Sequence, residues 1–174
     1  MKGTSVPPDF DALITLYSGP LLAYLWRMLR DRADAEDCLQ DTFLRAFRAR
    51  GRLDGNTNPQ AWLYRIATNT ARTRLRQRAR GAARTAELDP ELAASPAAGT
   101  AEQAAQRVLL AAAARATEAL PHQQRAALIL RKYQEQSYAA IAAILDCSEA
   151  AARANVYQAL KKLRAALETD EVAR

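Results

Sequence analysis

The sequence predicts an all-α protein of two small helical domains joined by a flexible linker. Three observations carry this reading. Alanine, leucine and arginine dominate the 174 residues, aromatics make up only 6%, and Gly and Pro number 6 and 7, so composition favours helix over sheet along nearly the whole chain. Apolar residues recur at spacings of three and four in two blocks. Between the blocks lies an alanine-rich stretch with Pro90, Pro96 and Gly99, in which residues 85–106 carry Glu87, Asp89, Glu91 and Glu102 and no base. The predicted domains span residues 1–84 and 102–174, with the acidic linker over 85–101.

Taken in order, the first helix should run from Asp9 to Arg30. Leu13, Leu16, Tyr17, Leu21, Leu22, Leu25, Trp26 and Leu29 supply its apolar clusters, and Gly19-Pro20 marks an interruption or a kink. A second helix, Ala33 to Arg50, has its acids Asp34, Glu36, Asp37 and Asp41 early and its bases Arg45, Arg48 and Arg50 late, the order that suits the helix dipole. The stretch "GRLDGNTNPQ" reads as a loop. A third helix follows to about Arg80, with Asn58 as N-cap, Pro59 at the first helical position, and Trp62, Leu63, Ile66 and Ala67 packed inward. Further along it Arg65, Arg72, Arg74, Arg76, Arg78 and Arg80 accumulate without one carboxylate among them. They forgo the i,i+4 pairing of an ordinary exposed helix and repel one another unless an anion is near.

The C-terminal block reads as four helices: Glu102 to Ala119, Pro121 to Gln134, Ser137 to Leu145 and Ser148 to Glu168. The last two fit a helix-turn-helix, capped by Ser137 and Ser148 and turned at Asp146-Cys147. In the final helix Ala152, Val156, Leu160, Leu163 and Leu167 form one predicted buried stripe, which leaves Asn155, Gln158, Lys161 and Lys162 facing away from it.

Net charge agrees with a polyanionic partner. The chain carries +6 overall; residues 1–84 hold 15 Lys/Arg against 8 Asp/Glu, and residues 107–168 hold 9 against 5. No window approaches a membrane span, and "MKGTSVPPDFD" lacks the apolar core of a secretory signal, so a cytoplasmic protein without membrane insertion is expected. Cys38 and Cys147 lie far apart and only His122 could join them as a nitrogen ligand, so no metal site and no cofactor are expected, and the thiols should be reduced. With one histidine, no phosphate-binding glycine loop and no nucleophile beside a base, the chain is not expected to be an enzyme.

The segments "DAEDCLQDTFLRAF" and "PQAWLYRIATNTARTRLRQRAR" resemble region 2 of the extracytoplasmic-function (ECF) sigma factors of bacterial RNA polymerase. The segment "ALPHQQRAALILRKYQEQSYAAIAAILDCSEAAARANVYQALKKLRAAL" resembles their region 4. The resemblance implies a transcription initiation factor working with core polymerase, nucleoid-associated when in holoenzyme. It implies that Asp37, Gln40, Asp41, Leu44 and Arg45 dock on a coiled coil of the largest polymerase subunit, that the polymerase flap is a further contact, and that an anti-sigma protein is a possible partner. A helix with carboxylates beside Phe43 and Phe47 suits this: the rings would line its own core while the acids face a basic partner.

For the promoter −10 element the resemblance implies a base pocket in the loop Arg52, Leu53, Asp54, Gly55, Asn56 and Asn58, with Arg65, Asn69, Arg72 and Arg76 at the opened fork. The arginine run would then have its counter-charges on DNA phosphates and not on this chain. For the −35 element it implies Ser148, Arg153, Asn155, Gln158, Lys161 and Lys162. The sequence departs from the family pattern at Ala140, at the turn residue Asp146, at Thr68 and Thr73, and where Asn155, Gln158 and Leu160 replace bases. Fewer cations imply weak or unusual −35 recognition, which leaves an alternative: a sigma-like module that binds a regulatory protein. The acidic linker would thread toward the polymerase active-site and RNA-exit channel, or serve as an inert tether.

Overall fold

The computed structural model describes residues 9–52, 57–85 and 101–172. Those residues form α1 (Phe10–Leu29), α2 (Arg32–Ala49), a 3-10 turn (Arg50–Arg52), α3 (Pro59–Thr85), α4 (Ala101–Glu118), α5 (His122–Lys132), α6 (Tyr138–Leu145) and α7 (Glu149–Val172), with no strand among them. The all-α expectation holds.

Helix α1 is continuous through Pro20. The proline is exposed and Leu16, one turn earlier, is 63% exposed, so the carbonyl left without a donor is open to water. At its end Arg30 takes the left-handed conformation (φ 56°) and returns its N–H to Trp26 O at 2.7 Å. Predicted caps form where the sequence places them. Asn58 Oδ1 accepts from Ala61 N at 3.2 Å, Ser137 Oγ from Ala140 N at 3.1 Å and Ser148 Oγ from Ala151 N at 3.1 Å. Asp146 ends α6 with φ 55° and ψ 54°, a conformation open to Asp at little cost, and three residues later α7 begins.

The core starts with α1 and α3, where Leu21, Tyr24, Leu25, Met28, Leu63 and Tyr64 are buried. Each such side chain contributes about 1.5–3 kcal/mol on burial. Helix α2 lays Ala35, Cys38, Thr42 and Ala46 on this pair, small residues at spacings of three and four that let the backbones approach. Phe43 is half-buried and Phe47 is 47% exposed, each edge-on to Phe10, so the rings expected inside line the rim. The reason is rotation: Ala46 holds the inward position and Phe47 sits a further 100° round the helix. The same shift corrects α7. Ala152, Val156 and Ala159 are buried, whereas Leu160 is 40% exposed.

The two helical units pack together. Ile129, Leu130, Ile141, Ile144 and Val156 continue the cluster begun by Leu21 and Leu63, while Leu120, Leu128 and Ala159 make a smaller core with Leu163. Polar groups follow the same seam. Tyr24 Oη meets Thr68 Oγ1 at 2.8 Å, Thr68 donates onward to Tyr64 O at 2.7 Å, and Tyr64 Oη donates to Gln134 Oε1 at 2.6 Å. Thr68, where the family pattern has a base, is thereby a buried link in the core.

Candidate nucleic-acid and polymerase interfaces

Helix α2 carries the predicted polymerase-docking residues. Asp37, Gln40, Asp41, Leu44 and Arg45 all line one cleft of about 380 Å³ between α2 and α3. Leu44 is 54% exposed beside Phe47, giving an apolar edge. Asp41 pairs with Arg45 at 3.0 Å and Asp37 with Arg74 at 3.1 Å, while Gln40 is exposed. Cys38 lies on the buried side of this helix, and burial pushes its thiol pKa up in spite of the neighbouring Arg74.

Helix α3 sorts its arginines by rotation. Positions 65, 69, 72 and 76 recur at spacings of four and three and share one stripe, which Arg80 extends by a turn. Arg74 and Arg78 point the other way, toward α2. Arg74 lies 3.5 Å from Asp34 and 3.1 Å from Asp37; Arg78 lies 3.0 Å from Asp31 and 2.5 Å from Asp34, and donates to Leu29 O at 2.9 Å. The expectation that the whole run finds its counter-charges on DNA is therefore corrected: Arg74 and Arg78 find theirs on α2. Local i,i+4 counting could not see partners some forty positions away. Among the described residues, Arg72, Arg76 and Arg80 form no ion pair.

Arg65 belongs to the stripe but turns toward α6. Its Nε and Nη2 donate to Ala143 O at 3.1 and 2.5 Å, and Nη2 lies 3.5 Å from Asp146. Arg65, Asn69, Arg72, His122 and Asp146 line a crevice of about 340 Å³. Burial, with the positive charge of Arg72 next, lowers the His122 pKa to about 4, so the imidazole is neutral at physiological pH. Of the predicted base pocket, Arg52 closes the 3-10 turn and Leu53, Asp54, Gly55 and Asn56 lie outside the described residues. Asn58 is exposed, with its Oδ1 engaged in the cap of α3.

Helix α7 presents the remaining set. Arg153, Gln158, Lys161 and Lys162 are exposed and Asn155 is half-buried at the edge of the packed face. Ser148 is exposed while capping α7. Arg153 is held by Glu149 at 2.6 Å and by the Tyr138 ring at 4.4 Å. Two exposed residues escaped the sequence reading: Tyr157 (64% exposed) and Arg164. The signal for Tyr157 was positional, since it stands four from both Arg153 and Lys161.

A helix-turn-helix with a polar outer face, packed beside a helix whose Arg72, Arg76 and Arg80 form no ion pair among the described residues, defines a two-part DNA-binding protein. Comparison with known proteins narrows the class. Residues 13–81 match Sigma-70 region 2 and residues 110–163 match Sigma-70, region 4. The RNA polymerase sigma-H factor of Pseudomonas aeruginosa is 32% identical over 91% of this chain and 86% of its own length. The RNA polymerase sigma factor CarQ of Myxococcus xanthus is 34% identical over 89% and 87%. The sigma factor RpoE of Bartonella quintana, solved with the anti-sigma factor NepR, superposes with a TM-score of 0.69 at 27% identity, covering 93% of this chain and 98% of that one. CnrH, solved with the cytosolic domain of CnrY, shares the fold with a TM-score of 0.66 at 24% identity, over 92% of this chain and 88% of that one. The chain belongs to the ECF sigma factors. It directs RNA polymerase to specific promoters and initiates transcription there.

Proposed function

We propose that initiation is divided among three surfaces. The α2 cleft, with Asp37, Gln40, Asp41, Leu44 and Arg45, docks on the coiled coil of the largest polymerase subunit. The loop from Arg52 to Asn58 and the α3 stripe of Arg65, Asn69, Arg72 and Arg76 take the opened −10 element. The outer face of α7, with Ser148, Arg153, Asn155, Gln158, Lys161 and Lys162, takes the −35 duplex, while the polymerase flap meets the same half. Residues 1–84 and 102–174 act as the two domains and 85–101 as their tether. The chain works as a specificity subunit and not as an enzyme, in the cytoplasm and at the nucleoid when in holoenzyme.

One observation carries this reading: α3 satisfies the arginines on its α2 side and leaves Arg72 and Arg76 without a counter-charge among the described residues. Exposed like charges left in a row are unfavourable until an anion arrives. An anti-sigma partner belongs to the proposal because the sigma factor RpoE, similar to this chain, was solved with the anti-sigma factor NepR.

In vitro transcription with core polymerase tests the division. Arg72→Ala with Arg76→Ala should reduce promoter opening and leave core binding intact. Gln40→Ala with Asp41→Ala should weaken core binding and leave DNA contact by pre-assembled holoenzyme intact. Equal loss of both functions in either pair overturns the assignment.

A further inference from the structure

Three helices meet at one aromatic ring. Tyr138 opens α6 directly after the Ser137 cap, is half-buried, and packs against the main core. The Arg131 guanidinium, from the last turn of α5, lies 4.7 Å from the centroid of that ring, and the Arg153 guanidinium, from α7, lies 4.4 Å from the same centroid. Each arginine has a second hold. Arg131 Nη1 donates to Gln136 O at 3.0 Å, in the connection between α5 and α6, and Arg153 Nη2 donates to Glu149 Oε1 at 2.6 Å. Of the α7 residues assigned to DNA, Arg153 is the one that stacks on a ring among the described residues.

We propose that Tyr138 is a positioning residue for −35 recognition, a platform on α6 that presents the Arg153 guanidinium of α7 to DNA in one orientation. This rests on the reading of the outer face of α7 as the −35 surface. An exposed arginine is rich in rotamers, and fixing them weakens DNA binding unless the free chain has already done so. The pair with Glu149 is a poor holder. Its side chains are 60% and 48% exposed, where ion pairs are weak, and its carboxylate occupies the same N–H edge that a phosphate or a base would need. The ring takes a different part of the group. Stacking uses the flat face of a guanidinium and leaves its in-plane N–H donors free for paired hydrogen bonds. Because Tyr138 is anchored in the core at a capped helix start, the face it offers is fixed, and Arg131, tied to Gln136 O, braces the ring in turn. A lysine at position 153 would keep the charge and lose this orientation, since an ammonium has no planar face.

A double-mutant cycle tests this, read as holoenzyme binding to a duplex promoter fragment that the wild-type holoenzyme selects from a library randomised over the −35 element. Arg153→Ala should weaken binding. Tyr138→Leu, which keeps apolar bulk against the core, should weaken it about two- to fivefold, the range of one cation–π contact at an exposed site. In the Arg153→Ala background Tyr138→Leu should cost nothing further, an outcome that a merely structural tyrosine would not give. Tyr138→Phe keeps the ring and should bind within about twofold of wild type. A ring-fluorinated phenylalanine at position 138 keeps that shape while draining negative charge from the ring face, so it should bind as weakly as Tyr138→Leu. The fluorinated ring also decides the matter should circular dichroism show that Tyr138→Leu has lost helix. Equal losses from Tyr138→Leu with and without Arg153, or a fluorinated ring that binds as phenylalanine does, would overturn the positioning role alone. Arg153→Ala that binds as wild type would sink the assignment of Arg153 to the −35 surface, and the positioning with it.

Discussion

Arg125 on α5 donates from Nη1 to the carbonyl oxygen of Met28 on α1 across a separation of 97 residues, 2.8 Å away. Its Nη2 serves Glu118 O, so one guanidinium, 7% exposed, answers the last carbonyls of two helices at once. A helix C-terminus lacks donors for those oxygens and carries partial negative charge, so a cation placed there offsets its own desolvation. Arg125→Met should leave both oxygens unpaired and cost about 2 kcal/mol, measured by urea titration. Trp26 and Trp62 both lie in the first half, so their fluorescence and far-UV circular dichroism should report one shared transition in the wild type and two in the variant.

Salt dependence separates the two faces of α3. Replacing Arg72 and Arg76 with alanine should lower the salt slope of holoenzyme binding to a single-stranded −10 fork by about 1.4, at 0.7 per phosphate contact. Replacing Arg74 and Arg78 should leave that slope in place and lower thermal stability, because their partners are Asp31, Asp34 and Asp37. Asp34, whose side chain is 17% exposed and touches both arginines, is the member whose removal should cost most, about 1–2 kcal/mol.

Acid should loosen the seam through His122. Its folded pKa, about 4, lies below the ordinary 6.5, so the unfolded chain takes up a proton before the folded one does. Stability is then fully present above pH 6.5 and falls as pH drops from there toward 4. By pH 5 the loss should reach about 1 kcal/mol after allowance for solvent screening. His122→Gln should flatten that part of the pH profile of urea midpoints; an unchanged profile would remove His122 as its source.

The cysteines should differ in reactivity. Cys38 is 2% exposed with a raised thiol pKa, and Cys147 is half-buried with its own pKa raised by burial and by Asp146. Iodoacetamide at pH 8 should label Cys147 slowly and Cys38 only on unfolding, as mass spectrometry of digested peptides would show.

Helices and caps were legible because each is written in neighbouring residues: Asn58, Ser137 and Ser148 cap as their types dictate. The α3 stripe was legible for the same reason, since spacings of four and three fix a face. Opposite-face partners were not, because Asp31 and Arg78 meet only after α2 and α3 fold back on each other. The buried role of Arg125 was not legible either, since nothing local marks the helix ends it serves. Phe47 and Leu160 were misplaced by one step of rotation, which a periodic pattern cannot resolve when alanine occupies the true inward position.

Asp146 ties two properties of the molecule together with opposite signs. Its left-handed backbone would suit glycine better, yet its carboxylate faces Arg65 across the seam. Glycine there would relieve the left-handed strain of the turn between α6 and α7 while removing the carboxylate that meets Arg65 across the seam. The present residue thus exchanges some backbone ease at the bend for an ion pair between the two halves.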